Sequence, residues 1–279
     1  MRLPGLIRIL RPVNAFVAGL ASMLAYFIAS GTLVPEAILL IAIVFLITAG
    51  GNTINDYYDA GIDRINRPDR PIPSGEVSLR GAGSLSFILF TGGIVLSLFT
   101  NPLCTTIAVF NAALLFLYAC RFKKTLFIGN MTVAYLSASI FLFGGALYGP
   151  AGMAQVSAIA LITFFAMLSR ELLKAAEDVE GDARAGAVTV PVEYGVRVTV
   201  LLSLLFVLCA IAGSLYPVRW WGLPYFMGIL IVDTIILVAA LRPLRCRRPS
   251  CIRDTGATTL LKLGMFASLV VFTIAATIS

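Results

Sequence analysis

The 279-residue chain is 59% hydrophobic and only 13% charged, with 21 Lys and Arg against 14 Asp and Glu and a formal net charge of +7. A soluble domain has about a quarter of its residues charged, so this chain has too little polar sequence to cover a soluble core and the bilayer must be its solvent. The basic excess belongs to membrane-flanking loops, not to a nucleic-acid surface, and the complete lack of histidine excludes imidazole acid–base chemistry, Ser-His-Asp hydrolysis and histidine metal ligation.

A helix that crosses the hydrocarbon needs about 20 mostly apolar residues. Nine stretches meet that need, near 12–31, 36–56, 82–100, 103–120, 127–148, 155–175, 197–215, 222–241 and 257–277. They are helices because lipid offers no partner for an open backbone. The prediction is an all-α, polytopic membrane protein with one domain over residues 1–279. The first apolar run starts after Arg11-Pro12, and no small-residue cleavage site follows it, so no removable signal peptide is expected.

The connections alternate in character. Residues 32–35, 101–102, 149–154 and 216–221 are short and nearly uncharged, whereas 57–81, 121–126, 176–196 and 242–256 are longer and charged. Of the 21 Lys and Arg, only Arg219 lies in the first set; Arg2, Arg8 and Arg11 go with the second. Cytoplasmic loops carry the excess of Lys and Arg. The expected topology therefore has a cytoplasmic N-terminus and an external C-terminus, in a cell membrane.

The five cysteines are odd in number and form no CxxC pair, so neither a disulfide framework nor a thiolate zinc site is expected. Asp233, within the eighth span, is an intramembrane carboxylate and a functional candidate by type, with no obvious partner. Asn14, just inside the first span, either faces a cavity or bonds a neighbouring helix. Phe141, Phe143, Phe164 and Phe165 are packing or lipid-facing residues, or walls of a tunnel for a long apolar chain. The glycine pairs Gly92-Gly93 and Gly144-Gly145 suit close helix packing.

Carboxylates concentrate in two places. The second span ends in Asn52, Asn55, Asp56, Asp59 and Asp63; the sixth ends in Arg170, Glu171, Lys174, Glu177, Asp178, Glu180 and Asp182. Asn55, Asp59 and Asp63 step by four and stack on one helix face, as do Lys174, Asp178 and Asp182, with Glu171 seven residues before Asp178. Such a row repels itself unless a positive charge sits within it. Carboxylates without imidazole or clustered thiolates select a hard cation, and Mg²⁺ is the candidate. Two such rows facing the same side suit a diphosphate held between metal ions. Arg64, Arg67 and Arg70 follow the first row, Arg121, Lys123 and Lys124 follow the fourth span, and Tyr118 sits one turn before that second basic cluster. Arg grips phosphate bidentately, Lys binds it as a point charge, and the Tyr118 hydroxyl can donate to a phosphate oxygen.

Residues 55–75 read NDYYDAGIDRINRPDRPIPSG. This string resembles the first signature of the UbiA superfamily of intramembrane prenyltransferases, an NDxxDxxxD motif followed by an Arg/Pro-rich stretch. Asp178 and Asp182, with Ala185-Gly186 and Thr189 to Pro191, resemble its DxxxD second signature. The resemblance covers essentially the whole chain, and nine spans fit it too. Within the superfamily, Arg170 to Asp182 is similar to the archaeal ether-lipid branch, although Ala175 stands where that branch commonly has Asp.

The resemblance implies Mg²⁺-dependent transfer of a prenyl group. Asn55, Asp56, Asp59, Asp63, Asp178 and Asp182 would be the metal ligands, with Asp56 either ligating or orienting. Lys123, Lys124, Tyr118, Arg64 and Lys174 would neutralise the leaving diphosphate, and Glu171 or that diphosphate would take the acceptor proton. The loops around 62–81 and 183–196 would act as lids. The archaeal branch implies geranylgeranyl diphosphate as donor and geranylgeranylglyceryl phosphate as acceptor, with Arg8, Arg11, Arg67 and Arg70 as candidate anchors for the acceptor phosphate. Membrane lipids would be the other partners. An aromatic acceptor is the nearest alternative within the superfamily. A cation-coupled transporter is the alternative of another class, and it fits less well because the carboxylates lie at one membrane edge and not at its middle.

Overall fold

Helix boundaries follow from residues that start or stop a helix well. The computed structural model describes residues 3–278, so Arg2 lies outside the described residues. The order is α1 (Leu3–Leu10), α2 (Pro12–Ser30), α3 (Ala37–Asn66), α4 (Leu79–Ser97), α5 (Pro102–Cys120), α6 (Ile128–Tyr148), α7 (Pro150–Arg184), α8 (Val190–Ser214), α9 (Val218–Leu241), α10 (Pro249–Thr255) and α11 (Ala257–Ile278). No strand occurs among the described residues. Ser78 caps α4 by accepting from the Gly81 N–H at 3.1 Å, and Asn101 caps α5 by accepting from the Cys104 N–H at 2.9 Å. Pro12 and Pro102 occupy first-turn positions, where a missing N–H costs nothing.

Among the described residues nine helices, α2 to α9 and α11, are long and apolar enough to cross a membrane, in agreement with the nine expected spans. The chain is a multi-pass membrane protein. Two spans run well past their expected ends. With 30 and 35 residues, α3 and α7 are about 45 and 52 Å long, against a hydrocarbon core of about 30 Å. Their polar ends therefore continue as helix beyond the lipid, and both carboxylate rows stand on these overhangs. In α8 and α9 the expected starts near 197 and 222 fall close to breaks at Gly195 (φ 81°) and Gly222 (φ 61°).

By internal contacts the chain forms two compact units, Met1–Arg121 with Ile140–Gln155, and Phe122–Ser139 with Val156–Ser279. In the first unit α3 is central, packed by α1, α2, α4 and α5. Its core joins Leu40, Ile43 and Ile47 of α3 to Tyr26, Cys104, Ala108 and Phe143. Gly144 of α6 lies directly on α2; a Cβ there would sit 2.0 Å from the Ser22 carbonyl oxygen. Asn101 also donates to the carbonyls of Ala146 (2.8 Å) and Leu147 (3.2 Å), tying the start of α5 to the end of α6. Phe141 and Phe143 are both buried, and Phe143 packs within this core.

In the second unit α9 packs against α8 and α11. Ile162 and Ala166 of α7 meet Ala210 of α8, and the Ser169 and Ser203 hydroxyls lie 2.8 Å apart. Phe165 stacks on Phe206 at 6.0 Å. Asp233 has a partner that its sequence position did not show. Ser214 Oγ donates to Asp233 Oδ2 at 2.6 Å, while the Tyr225 hydroxyl donates to the Ser214 carbonyl at 2.9 Å. Cys246 and Cys251 form a disulfide, with Cα atoms 5.5 Å apart, that the sequence did not point to. Residue counting missed it because the pair closes a short local loop and is not part of a framework. Arg242 Nη1 donates to the Thr255 carbonyl at 3.1 Å across the same loop.

Candidate active site

The first row ends α3. Asn55 and Asp59 are half-buried and paired, with Asn55 Nδ2 donating to Asp59 Oδ2 at 2.9 Å. Asp56 and Asp63 are buried, at 3% and 5% exposure, because seven residues return nearly to the same helix face. Two arginines hold them. Arg70 Nη1 lies 2.6 Å from Asp63 Oδ2 and 3.2 Å from Asp56 Oδ1. Arg11 Nη2 lies 2.6 Å from Asp56 Oδ1.

Arg70 reaches the row because the Arg/Pro-rich segment folds back on α3. Arg67 N–H bonds the Asp63 carbonyl (2.9 Å), Ser74 N–H bonds that of Arg70 (2.9 Å), and Val77 N–H bonds that of Pro71 (2.9 Å). Helix α1 closes over this segment. Arg8 Nη1 contacts Glu76 Oε1 at 2.8 Å and its other nitrogen donates to the Asp69 carbonyl. Ile9, Val77 and Ala82 form a small buried cluster beneath, and Asn52 Nδ2 donates to the Leu10 carbonyl at 3.1 Å. Segment 67–77 is thus a pinned turn, and the part of the expected 62–81 lid that it forms is held by α1. Arg64 and Arg67 are exposed, as are Asn14 and Arg121; Tyr118 is half-buried.

The second row ends α7. Asp178 and Lys174 are exposed, Asp182 is half-buried and Glu171 is buried. Arg170 Nη1 holds Glu171 Oε1 at 2.7 Å, and Asn130 Nδ2 donates to the Glu171 carbonyl at 3.2 Å. Glu177 Oε1 accepts from Thr258 Oγ1 of α11 at 2.8 Å. After α7 the chain turns at Gly186 (φ 67°). There the Ala187 N–H bonds the Asp182 carbonyl at 2.9 Å and the Val188 N–H bonds the Lys124 carbonyl at 3.0 Å. This last bond ties the loop that follows Asp182 to the basic turn Phe122–Lys124, so Lys123 and Lys124 belong to the same unit as the second row.

Among the described residues no three Asp, Glu or Cys side chains converge as a metal-binding group. Each row instead offers a few carboxylate and amide oxygens on a rigid helix end. That suits Mg²⁺, which is usually held by one or two carboxylates and completes its shell with waters and substrate phosphates.

Sequence reasoning missed the commitment of Arg11 and Arg70 to carboxylates. The clue was Leu10-Arg11-Pro12. A residue before proline is disfavoured in the helical region, so α1 must end there and Arg11 must turn. Thr258 gave no signal, since its partner Glu177 is 81 residues away.

The fold defines a polytopic membrane protein with one carboxylate row at the α3 end of its first unit and another at the α7 end of its second. Residues 15–272 match the UbiA prenyltransferase family, and the chain belongs to that family. It is 56% identical, over 99% of both chains, to a digeranylgeranylglyceryl phosphate synthase of Methanoregula boonei. It also resembles a solved structure of a digeranylgeranylglyceryl phosphate synthase, with a TM-score of 0.84, 34% identity and 99% of each chain covered. A UbiA homologue from Archaeoglobus fulgidus, solved with GPP and Mg²⁺, shares the fold at a TM-score of 0.65 and 18% identity, over 99% of this chain and 100% of that one.

Proposed function

We propose that this chain transfers a geranylgeranyl group from geranylgeranyl diphosphate to geranylgeranylglyceryl phosphate, forming the second ether bond of an archaeal membrane lipid. The observation that carries this reading is the 56% identity along the full length of a relative bearing that synthase name. The whole chain acts as one catalytic domain. The Lys and Arg distribution supports a cytoplasmic N-terminus and an external C-terminus.

Asn55, Asp59 and Asp63 of α3, with Asp178 and Asp182 of α7, are the proposed Mg²⁺ ligands. Their hard oxygens favour that ion. When bound, Mg²⁺ supplies Lewis-acid stabilisation of the diphosphate leaving group. Lys123, Lys124, Lys174 and Arg64 add positive charge to the same group, and Tyr118 and Arg121 donate hydrogen bonds to it. The bond from C1 of the donor to the diphosphate oxygen breaks, and the acceptor hydroxyl forms a new bond to C1. The departing diphosphate takes the hydroxyl proton, since the Glu171 carboxylate is already engaged by Arg170 at 2.7 Å. Arg67, exposed beside the first row, anchors the acceptor phosphate.

The test is label transfer by purified protein in lipid, with Mg²⁺, labelled geranylgeranyl diphosphate, and either geranylgeranylglyceryl phosphate or 4-hydroxybenzoate. Label in a doubly alkylated glyceryl phosphate is the expected result. Label only in the aromatic tube overturns the acceptor, and no transfer to either overturns the proposal.

A further inference from the structure

Arg11 is the only non-glycine residue with positive φ among the described residues, at φ 50° and ψ 59°. This left-handed geometry crowds a Cβ and is rarely kept without a compensating contact. No side-chain cap explains it; Arg11 stands at the start of α2 without a capping hydrogen bond. What the turn does achieve is to aim the guanidinium at α3. Nη2 reaches Asp56 Oδ1 at 2.6 Å, and the Asp56 side chain is only 4% exposed. The same carboxylate oxygen receives Arg70, which also binds Asp63. The order is therefore Arg11, Asp56, Arg70, Asp63: two arginines interleaved with two buried carboxylates. Asp56 adjoins Asn55 and lies one turn before Asp59, the two row members paired with each other at 2.9 Å.

We infer that Arg11 is a positioning residue for the α3 carboxylate row. It locks Asp56 from the hinge between α1 and α2, and with Arg70 it fixes the rotation of the α3 end that presents Asn55 and Asp59. This assigns Arg11 a role different from anchoring an acceptor phosphate, because its guanidinium is already spent on a buried carboxylate. The inference rests on the metal-dependent reading given above, but it can fail separately. Partners that orient a metal ligand typically change metal affinity or activity by about 10- to 100-fold when removed, and that is the scale to look for.

The experiment uses the full chain in detergent, with Arg11→Gln, Arg11→Lys, Asp56→Asn and the Arg11→Gln/Asp56→Asn double variant. Thermal unfolding checks that each is folded. Two quantities are read: Mn²⁺ binding in the presence of inorganic pyrophosphate, by electron paramagnetic resonance, and the Mg²⁺ and acceptor dependence of prenyl transfer. Arg11→Gln should weaken Mn²⁺ binding and raise the Mg²⁺ requirement by about tenfold or more, leave the acceptor KM within about twofold, and be rescued in large part by Arg11→Lys. In the Asp56→Asn background the Arg11 change should add little, since coupled residues are not additive. A raised acceptor KM with unchanged Mn²⁺ binding, or full additivity with Asp56→Asn, would overturn the inference in favour of a phosphate anchor. Unchanged values throughout would overturn it as well. If Arg11→Gln does not fold, Asp56→Asn decides, because it breaks the same pair from the other side: Mn²⁺ binding weakened by about tenfold or more is expected, and unchanged binding would overturn the inference. The Mn²⁺ measurement needs no turnover, so it reads the clamp even if the proposed acceptor is wrong.

Discussion

Arg70 and Asp63 are seven residues apart in sequence, yet their charged groups meet at 2.6 Å because the chain after α3 folds straight back on it. The carboxylate is 7% exposed and the guanidinium side chain 19% exposed, so the pair is sheltered from solvent screening. Breaking a buried pair on one side typically costs 3–5 kcal/mol, because the other charge stays buried. Arg70→Ala should therefore lower stability by about 3 kcal/mol, visible as a marked drop in the unfolding temperature. Arg70→Lys should be milder but not silent: a single Arg70 nitrogen, Nη1, reaches both Asp63 and Asp56, and the ammonium of a shorter side chain must be drawn closer to α3 to do the same. An unfolding temperature unchanged in Arg70→Ala would contradict this account of the pair.

Close packing of α6 on α2 depends on one missing methyl group. At Gly144 a Cβ would lie 2.0 Å from the Ser22 carbonyl oxygen and 2.8 Å from Ala25 Cβ. Gly144→Ala should force the helices apart and cost about 1–3 kcal/mol, the usual range for overpacking. The contrast is Gly92→Ala, where the nearest atom is an ordinary contact at 3.7 Å; that variant should unfold close to the parent temperature. Equal effects at both sites would show that the α2–α6 approach is not as tight as described.

The loop between α9 and α11 gives a chemical prediction. With Cys246 bonded to Cys251 and Cys104, Cys120 and Cys209 free, thiol titration of denatured, unreduced protein should find three thiols, and reduction should raise that to five. A loop this short is worth about 2 kcal/mol in the chain-entropy description, so Cys251→Ser should be folded and only modestly less stable. Five thiols before reduction would remove the bond from the account.

Much of this was legible from residues alone. Nine apolar stretches became nine membrane-length helices among the described residues, because an open backbone finds no partner in lipid. The two carboxylate rows were visible as four-residue steps, and helices α3 and α7 continue far enough to keep that spacing meaningful. What the sequence did not reveal were long-range polar choices. Arg11 and Arg70 look like spare cations in a list of basic residues; only the fold shows that Asp56 and Asp63 have taken them. Likewise, Ser214 for Asp233 and Thr258 for Glu177 are hydroxyl partners supplied by neighbouring helices, and no local pattern marks a serine or threonine for such a task. Asn55, Asp59 and Asp63 share one face by periodicity, but the chain divides them: the first two pair with each other, while Asp63 turns to Arg70.

The central claim is that prenyl transfer requires a divalent metal and both carboxylate rows. Its most direct test is the transfer rate of geranylgeranyl diphosphate to geranylgeranylglyceryl phosphate, measured with Mg²⁺, with EDTA, and with Mg²⁺ in the Asp59→Ala and Asp178→Ala variants, all shown to be folded. Withdrawing several kcal/mol of leaving-group stabilisation corresponds to a loss of at least roughly 100-fold, and that loss is predicted for EDTA and for each variant. Transfer that persists at the full rate in EDTA, or in either variant, would contradict the claim.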